Sequence, residues 1–139
     1  MQTLANQKEF TMQSMRRHDL KPRIVLSEDD HRTLIALTSG GSEAAEDLLY
    51  EIERARVVPA PKLAPSVVRM GSTVTYRPDS GAEKTVTLVY PAEADIAEGK
   101  VSVLTPIGTA LIGLDVGQSI TWQDRNGRKH VLTVLSVTG

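Results

Sequence analysis

The chain has 139 residues, a length that suits one domain or one domain with a small appendage. With 40% hydrophobic residues, 24% charged residues and a formal net charge of -1, its composition is that of a globular protein without a general electrostatic attraction for nucleic acid. It has no cysteine, which excludes disulfides, thiol catalysis and thiolate metal sites, and no stretch apolar enough for a membrane span or a secretion signal, so we expect a cytoplasmic protein.

Residues 1–22 show neither a helical nor a strand period. Their charged residues are mostly basic, they include the pair Arg16-Arg17, and the segment ends at Pro22. We predict a flexible N-terminal arm here. A basic arm that contacts a partner is the alternative interpretation.

Residues 23–58 have the pattern of two short amphipathic helices and carry eight acidic and four basic residues. Ser27 and Ser42 each precede acidic residues, and a serine in that position caps the first free N–H groups of a helix. Gly40-Gly41 separates the two segments, so we predict a short antiparallel hairpin with helices of about eleven and sixteen residues. The apolar positions at helical spacing are Leu34, Ile35, Ala45, Leu48, Leu49 and Ile52.

Residues 59–66 contain three prolines and read as a Pro-rich linker, because proline favours extended backbone. Residues 67–139 then change to a period of two, which is typical of strands. About five strands and one short helix, from Pro106 to Gly113, predict a small antiparallel sheet that buries one face against the helix. Asn126-Gly127 is the strongest hairpin signal of the chain. The fold class that follows is α+β.

Several short motifs follow one another in this second region. They are Gly71-Ser72-x-Val74, Pro91-x-Glu93-Ala94-Asp95, Gly99-x-Val101-Ser102, Thr105-Pro106-Ile107-Gly108-x-Ala110-Leu111-Ile112-Gly113 and Val116-Gly117. In this order they resemble the C-terminal domain of the GreA/GreB transcript-cleavage factor family, and more closely its short members, the regulators of nucleoside diphosphate kinase. The resemblance implies an FKBP-like sheet domain and RNA polymerase as the partner.

The segment from Leu104 to Gly108, here called the Pro106 loop, is the first candidate site. In the family the corresponding Ser-Pro-Leu-Gly loop grips the polymerase near the entrance of the secondary channel. The resemblance therefore assigns polymerase binding to Thr105, Pro106, Ile107 and Gly108. A purely structural role, in which the proline and glycine let the helix start close to the sheet, is the alternative. Leu104 and Gln118 depart from the family pattern.

Glu93 and Asp95 form a second candidate site, on the turn after Pro91. The resemblance suggests an electrostatic contact with the polymerase there. A metal cage needs more oxygen ligands at fixed spacing than this turn supplies. The alternative is a solvated acidic turn.

The acids of the predicted hairpin turn, Glu43, Glu46 and Asp47, form a third candidate site. In the cleavage factors two carboxylates at the tip of a long coiled coil help to hold the catalytic magnesium of the polymerase. Helices of about eleven and sixteen residues reach only about 16 and 24 Å, whereas helices of some thirty residues reach about 45 Å. The turn also carries one acid rather than an adjacent pair, so we predict no transcript cleavage. Solvated first-turn acids are the simpler interpretation.

No residue pattern supports catalysis or a bound cofactor. His18, His31 and His130 lie in three separate segments, without a second ligand at metal-binding spacing. A prolyl isomerase needs an aromatic-lined pocket, and the predicted sheet domain offers only three large aromatic residues. We expect no catalytic residue, no metal and no cofactor. The three aromatic residues are Tyr76, Tyr90 and Trp122.

These observations predict a non-enzymatic transcription regulator. It would bind RNA polymerase near the secondary channel as a monomer and compete there with Gre factors. We expect no direct sequence-specific contact with nucleic acid and no association with a membrane. The alternative is a protein-interaction module that regulates nucleoside diphosphate kinase or another enzyme by direct contact.

Overall fold

The computed structural model describes residues 19–139. Residues 1–18, most of the predicted flexible arm, lie outside the described residues. The architecture of residues 19–139 is mixed α+β, with three short α-helices, a small two-stranded sheet and a larger five-stranded sheet. In chain order the elements are β1 Val25–Ser27, α1 Glu28–Leu37, α2 Glu43–Glu53, β2 Arg56–Val58, β3 Thr73–Pro78, β4 Lys84–Val89, β5 Lys100–Ser102, α3 Pro106–Leu111, β6 Ser119–Gln123 and β7 Lys129–Thr138.

Both predicted helix starts are present and are capped as expected. The Ser27 hydroxyl accepts a hydrogen bond from the Asp30 amide at 3.0 Å, and the Ser42 hydroxyl accepts one from the Ala45 amide at 3.1 Å. The first helix has ten residues, close to the prediction. The second has eleven residues rather than about sixteen. Among the described residues, no helix has the length and apolar character needed to cross a membrane.

The second helix is short because the chain after it joins a strand pair that the sequence did not predict. Strand β2 runs parallel to β1, with Leu26 opposite Val57. The Arg56 amide also donates to the Ile24 carbonyl at 2.9 Å. These backbone bonds hold residues 56–58 in an extended conformation and close the base of the helix pair.

The five-stranded sheet has the order β5-β4-β3-β7-β6 and is mixed, not antiparallel as predicted. Three of its pairings are antiparallel, but β5 runs parallel to β4. The physical reason lies in residues 90–99, where two short 3₁₀ turns carry the chain back to the middle of β4, so that Lys100 lies opposite Thr87. The chain therefore re-enters the sheet edge in the same direction. The FKBP-like assignment stays a prediction.

One hydrophobic core joins the helices to the sheet. Leu34 on α1 and Leu48 on α2 are fully buried in the same cluster as Leu111 of α3 and Leu132 of β7. Burial of this apolar surface is the main force that holds the two regions together. The Met70 amide adds a polar link, because it donates to the Asp30 carboxylate at 3.0 Å.

Candidate functional site

The Pro106 loop is fixed by a dense set of short-range hydrogen bonds. The Thr105 hydroxyl donates to the Ser102 carbonyl at 2.6 Å and accepts from the Gly108 amide at 3.1 Å, which makes Thr105 the N-cap of α3. Pro106 occupies the first helical position, where a missing N–H costs nothing. The Thr109 hydroxyl donates to the Val103 carbonyl at 2.7 Å. The loop therefore holds one conformation.

Gly108 is required by the close approach of α3 to the end of β5. A Cβ atom at this position would collide with the backbone carbonyl of Ser102. Because that obstacle is backbone and not the end of a flexible side chain, it cannot move aside without shifting the strand. Pro106 and Ile107 remain half-buried beside this contact. The loop thus presents two apolar side chains from a rigid support.

The Pro106 loop lies between two hollows of the surface. Leu104 and Pro106 line a groove of about 740 Å³, whose opposite wall is α2. Ile107 lines a smaller hollow of about 300 Å³ together with Tyr76. Trp122 lines both. The two sides of the loop therefore face different surroundings.

Two of the three predicted acids of the helix turn face the larger groove. Glu43 and Asp47 line it on the α2 side, whereas Glu46 does not. The structure therefore brings Glu43 and Asp47 to the same groove as Pro106. Glu43 is the first residue of α2, directly after the turn between the helices, and Asp47 lies one turn further along the helix.

The groove also contains residues that the sequence analysis missed. Tyr50 follows Glu43 and Asp47 on the same helical face, and 60% of it is exposed. The spacing of four and three residues, which puts Tyr50 on one helical face with Glu43 and Asp47, is the sequence signal for this position. Glu51 lies deeper, 5% exposed, and pairs with Arg54 at 2.7 Å and with Lys21 at 3.8 Å.

Trp122 lines both hollows, and the ring of His130 beside it lines the smaller one. The ring centroid of Trp122 lies 4.8 Å from that of His130, and the buried indole N–H has no hydrogen-bond partner among residues 19–139. The His130 imidazole contacts the Asp124 carboxylate at 2.9 Å. This hydrogen bond, and then the amide of Arg128, lowers the pKa of Asp124 below its usual 3.8.

Glu93 and Asp95 lie apart from both hollows. They are exposed, on the 3₁₀ turns that precede β5. The backbone of Asp95 exchanges two hydrogen bonds of 2.9 Å with Lys100, which fixes the turn. Burial, followed by the charge of Asp30, raises the pKa of Tyr90, and the charge of Glu93 contributes in the same direction. Nothing in the structure brings these two acids to the Pro106 loop.

The acidic and histidine side chains do not converge on a common point. Within residues 19–139, no three of them are arranged to hold a metal ion. His130 contacts Asp124 through Nε2, whereas Asp79 lies 4.0 Å away on its Nδ1 side. The larger groove is lined by apolar and charged side chains.

Comparison with known proteins identifies relatives of both regions. The family described as transcription elongation factor GreA/GreB, C-terminal, matches residues 63–139. The regulator of nucleoside diphosphate kinase from Escherichia coli strain K12 is 34% identical over 122 residues, which cover 84% of this chain and 90% of that protein. The transcription elongation factor GreA from Rhodospirillum rubrum is 42% identical over 77 residues, which are 55% of this chain and 49% of that protein.

A solved structure extends the likeness to the fold. The prokaryotic transcription elongation factor GreA/GreB from Nitrosomonas europaea superposes with a TM-score of 0.69 at 37% identity. The match covers 86% of this chain and the whole of that chain. It therefore includes the helix pair as well as the five-stranded sheet.

Proposed function

The chain belongs to the GreA/GreB family of transcription elongation factors, and from this membership we propose that it binds RNA polymerase near the secondary channel without stimulating transcript cleavage. The resemblance drawn from the motifs is thereby confirmed, and with it a transcription-factor-like, regulatory role. In this proposal the chain acts as a monomer. It carries a short helical hairpin on an FKBP-like sheet domain and competes with Gre factors for their site.

The rigid Pro106 loop is the observation that carries the binding half of the proposal. Thr105, Pro106, Ile107 and Gly108 correspond to the Ser-Pro-Leu-Gly segment by which the family is expected to grip the polymerase. Pro106 and Gly108 match that segment, and Thr105 and Ile107 are mild replacements. In this chain they are held in one conformation by the Thr105 cap and by the contact of Gly108 with Ser102. A preformed loop loses little conformational entropy when a partner binds, so apolar contacts made by Pro106 and Ile107 translate directly into affinity.

The size of the helix pair supports the second half, the absence of cleavage. Helices of ten and eleven residues extend about 15 Å and 16 Å. The turn at their end carries one acid, Glu43, directly after the Ser42 cap, and no adjacent pair of carboxylates. Glu43 and Asp47 both line the groove beside the sheet. In this proposal a magnesium ion at the end of a long channel therefore has no pair of carboxylates within reach.

We assign Glu93 and Asp95 a peripheral electrostatic role. Both are exposed on a turn whose backbone is fixed, and they lie outside the two hollows. Exposed charges at the rim of an interface change association rates more than affinity. Their contribution should fall as ionic strength rises.

Binding to core RNA polymerase tests the proposal. The wild-type chain, immobilised, should retain core polymerase at micromolar concentration, and an excess of GreA should reduce the amount retained. Pro106→Ala should weaken retention several-fold, because the ring contacts are lost while the helix start is kept. Pro61→Ala, at an exposed proline of the linker, is the matched control and should bind like wild type. Absence of binding by the wild-type chain would refute the proposal.

Direct regulation of nucleoside diphosphate kinase is the second candidate. The 34% identity with the regulator of that kinase, over 90% of its length, favours it. Two measurements separate a direct from an indirect effect. If the contact is direct, the purified chain changes the activity of the purified kinase. If the effect passes through transcription, it changes the kinase transcript and leaves the purified enzyme unaffected.

A further inference from the structure

The groove between α2 and the Pro106 loop has an apolar floor and one acidic wall. Its floor includes Pro106, Ile120 and Trp122, and the exposed ring of Tyr50 extends it outward. Exposed apolar surface that is concave and rimmed by charge is typical of interaction sites. With about 740 Å³, the groove has room for several side chains of a partner.

Most of the carboxylates in the groove already have a partner within the chain. Asp19 contacts Lys129 at 3.0 Å. Glu51 contacts Arg54 at 2.7 Å, and Asp124 contacts the His130 imidazole at 2.9 Å. Asp19 and Glu51 contribute little attraction for a further cation, because each already has its counter-charge.

Glu43 and Asp47 are different. Neither has an ion pair within residues 19–139. They are four residues apart on α2, so their carboxylates lie on one face and act on the same region of the groove. The opposite rim offers Arg125 alone as a cation without an ion pair in that part of the chain. The acidic wall therefore favours a partner with positive charge next to its apolar side chains.

We propose that this groove binds a segment of RNA polymerase whose apolar side chains are flanked by lysine or arginine. That the segment belongs to RNA polymerase rests on the proposed function. That it combines apolar and positively charged side chains is inferred from the residues that line the groove. The apolar side chains pack on Pro106 and Trp122, and the cations pair with Glu43 and Asp47. The docking surface is then composite. It joins the first two turns of α2 to the Pro106 loop, so the helix pair takes part in binding.

The single tryptophan of the chain makes the groove directly measurable, because Trp122 lines it. The probe is a synthetic peptide of leucine and lysine at helical spacing, without tryptophan, and its counterpart with glutamate in place of lysine. The lysine peptide should change the emission of Trp122 in a saturable way, and the glutamate peptide should not. Equal responses to both peptides, or none to the lysine peptide, would overturn the proposal.

Two pairs of substitutions on one helix test the acidic wall. E43Q/D47N should weaken binding of the lysine peptide and of core polymerase about tenfold and reduce the salt dependence of both. The control is E46Q/E53Q, which removes two exposed carboxylates of α2 that do not line the groove, and it should bind like wild type. Equal affinities of the two double variants would contradict the assignment of the acidic wall.

The remaining outcomes separate this inference from the proposed function. If the wild-type chain binds core polymerase and E43Q/D47N binds as tightly, the inference fails and the proposed function stands. If no form of the chain binds polymerase, the proposed function is refuted, and so is polymerase as the origin of the bound segment. The peptide titration then still tests whether the groove binds apolar side chains flanked by cations. A Trp122 emission that depends on protein concentration without peptide would indicate a second copy in the groove and would also overturn the proposal.

Discussion

The turn between the two helices and the Pro106 loop are both short connections, but they are built differently. The helix turn is held by local bonds, such as those from the Thr38 hydroxyl to the Ile35 carbonyl at 2.8 Å and from the Gly41 amide to the Thr38 carbonyl. Nothing lies within 4 Å of a Cβ placed on Gly40. The Pro106 loop, in contrast, is packed against backbone at Gly108. Gly40 in the helix turn has space around it, whereas Gly108 in the loop has none.

In the proposed function this difference separates docking from transcript cleavage. A carboxylate pair used at a distance needs long helices and two adjacent acids at the tip, and residues 19–139 have neither. A surface used for docking needs preorganised backbone, which the Pro106 loop has. We therefore associate the function of this chain with its sheet side. The helix pair contributes through the wall of α2 that faces the loop.

The largest expected change in the free energy of unfolding tests whether the helix pair and the five-stranded sheet unfold as one unit. Leu34 on α1 is fully buried in the core shared with the sheet. Leu34→Ala should reduce the free energy of unfolding by about 3 kcal/mol, because it removes buried methyl groups and leaves a cavity. Chemical denaturation should still show one transition, since both regions share the core.

The neighbouring Ile35, 38% exposed, gives the matched control. Ile35→Ala should cost less than about 1 kcal/mol. A second transition in Leu34→Ala, with the helices melting before the sheet, would show that the helix pair is an independent unit. It would also remove the fixed groove between α2 and the loop.

The next largest effect compares an added methyl group in the Pro106 loop with one in the helix turn. Gly108→Ala should lower the free energy of unfolding by about 2 to 3 kcal/mol, because the new methyl group collides with the Ser102 carbonyl. Gly40→Ala should be neutral or stabilise by about 0.5 kcal/mol, because the position is open and alanine restricts the unfolded chain. Urea denaturation of the two variants measures both values. Similar values for both would show that the Pro106 loop is no more constrained than the helix turn.

The smallest effect concerns the turn after β6, beside Trp122. The pKa of Asp124 is lowered in the folded chain, chiefly by His130, so this carboxylate contributes stability above about pH 3.8. That contribution is lost as the pH falls through the lowered pKa. The stability advantage of wild type over Asp124→Asn should therefore shrink on acidification below pH 3.8.

The substitution His130→Gln tests the cause of this shift. Because the hydrogen bond from His130 is its largest contribution, the variant should raise the pKa of Asp124 toward 3.8, as followed by NMR of the side-chain carboxyl carbon. An unchanged pKa would assign the shift to the backbone amides of Asn126 and Arg128 instead. The turn would then be independent of the Trp122 floor, unlike the Pro106 loop.

Local features of the fold were predictable from the sequence. The caps at Ser27 and Ser42 depend on a serine and the next three residues, and both are present. The short helix between Pro106 and Gly113 depends on equally local rules, and Gly113 has the positive φ of 81° that favours glycine. The order of the motifs also predicted the family, because the motifs are spread over about half of the chain.

Features that depend on distant contacts were not predictable in the same way. The pairing of β1 with β2 joins residues about thirty positions apart, and it shortened the second helix. The parallel pairing of β5 depends on the path of residues 90–99. The groove requires α2 to pack beside the Pro106 loop, which a spacing rule within one helix cannot show. Trp122 and Tyr50 were therefore not predicted as site residues.

The most direct test of the central claim is a transcript-cleavage assay on halted elongation complexes of RNA polymerase. The chain alone should leave the transcripts at full length. Added in excess over GreA, it should suppress the cleavage that GreA stimulates. Shortened transcripts with the chain alone, or undiminished GreA-stimulated cleavage when the chain saturates the polymerase, would contradict the account.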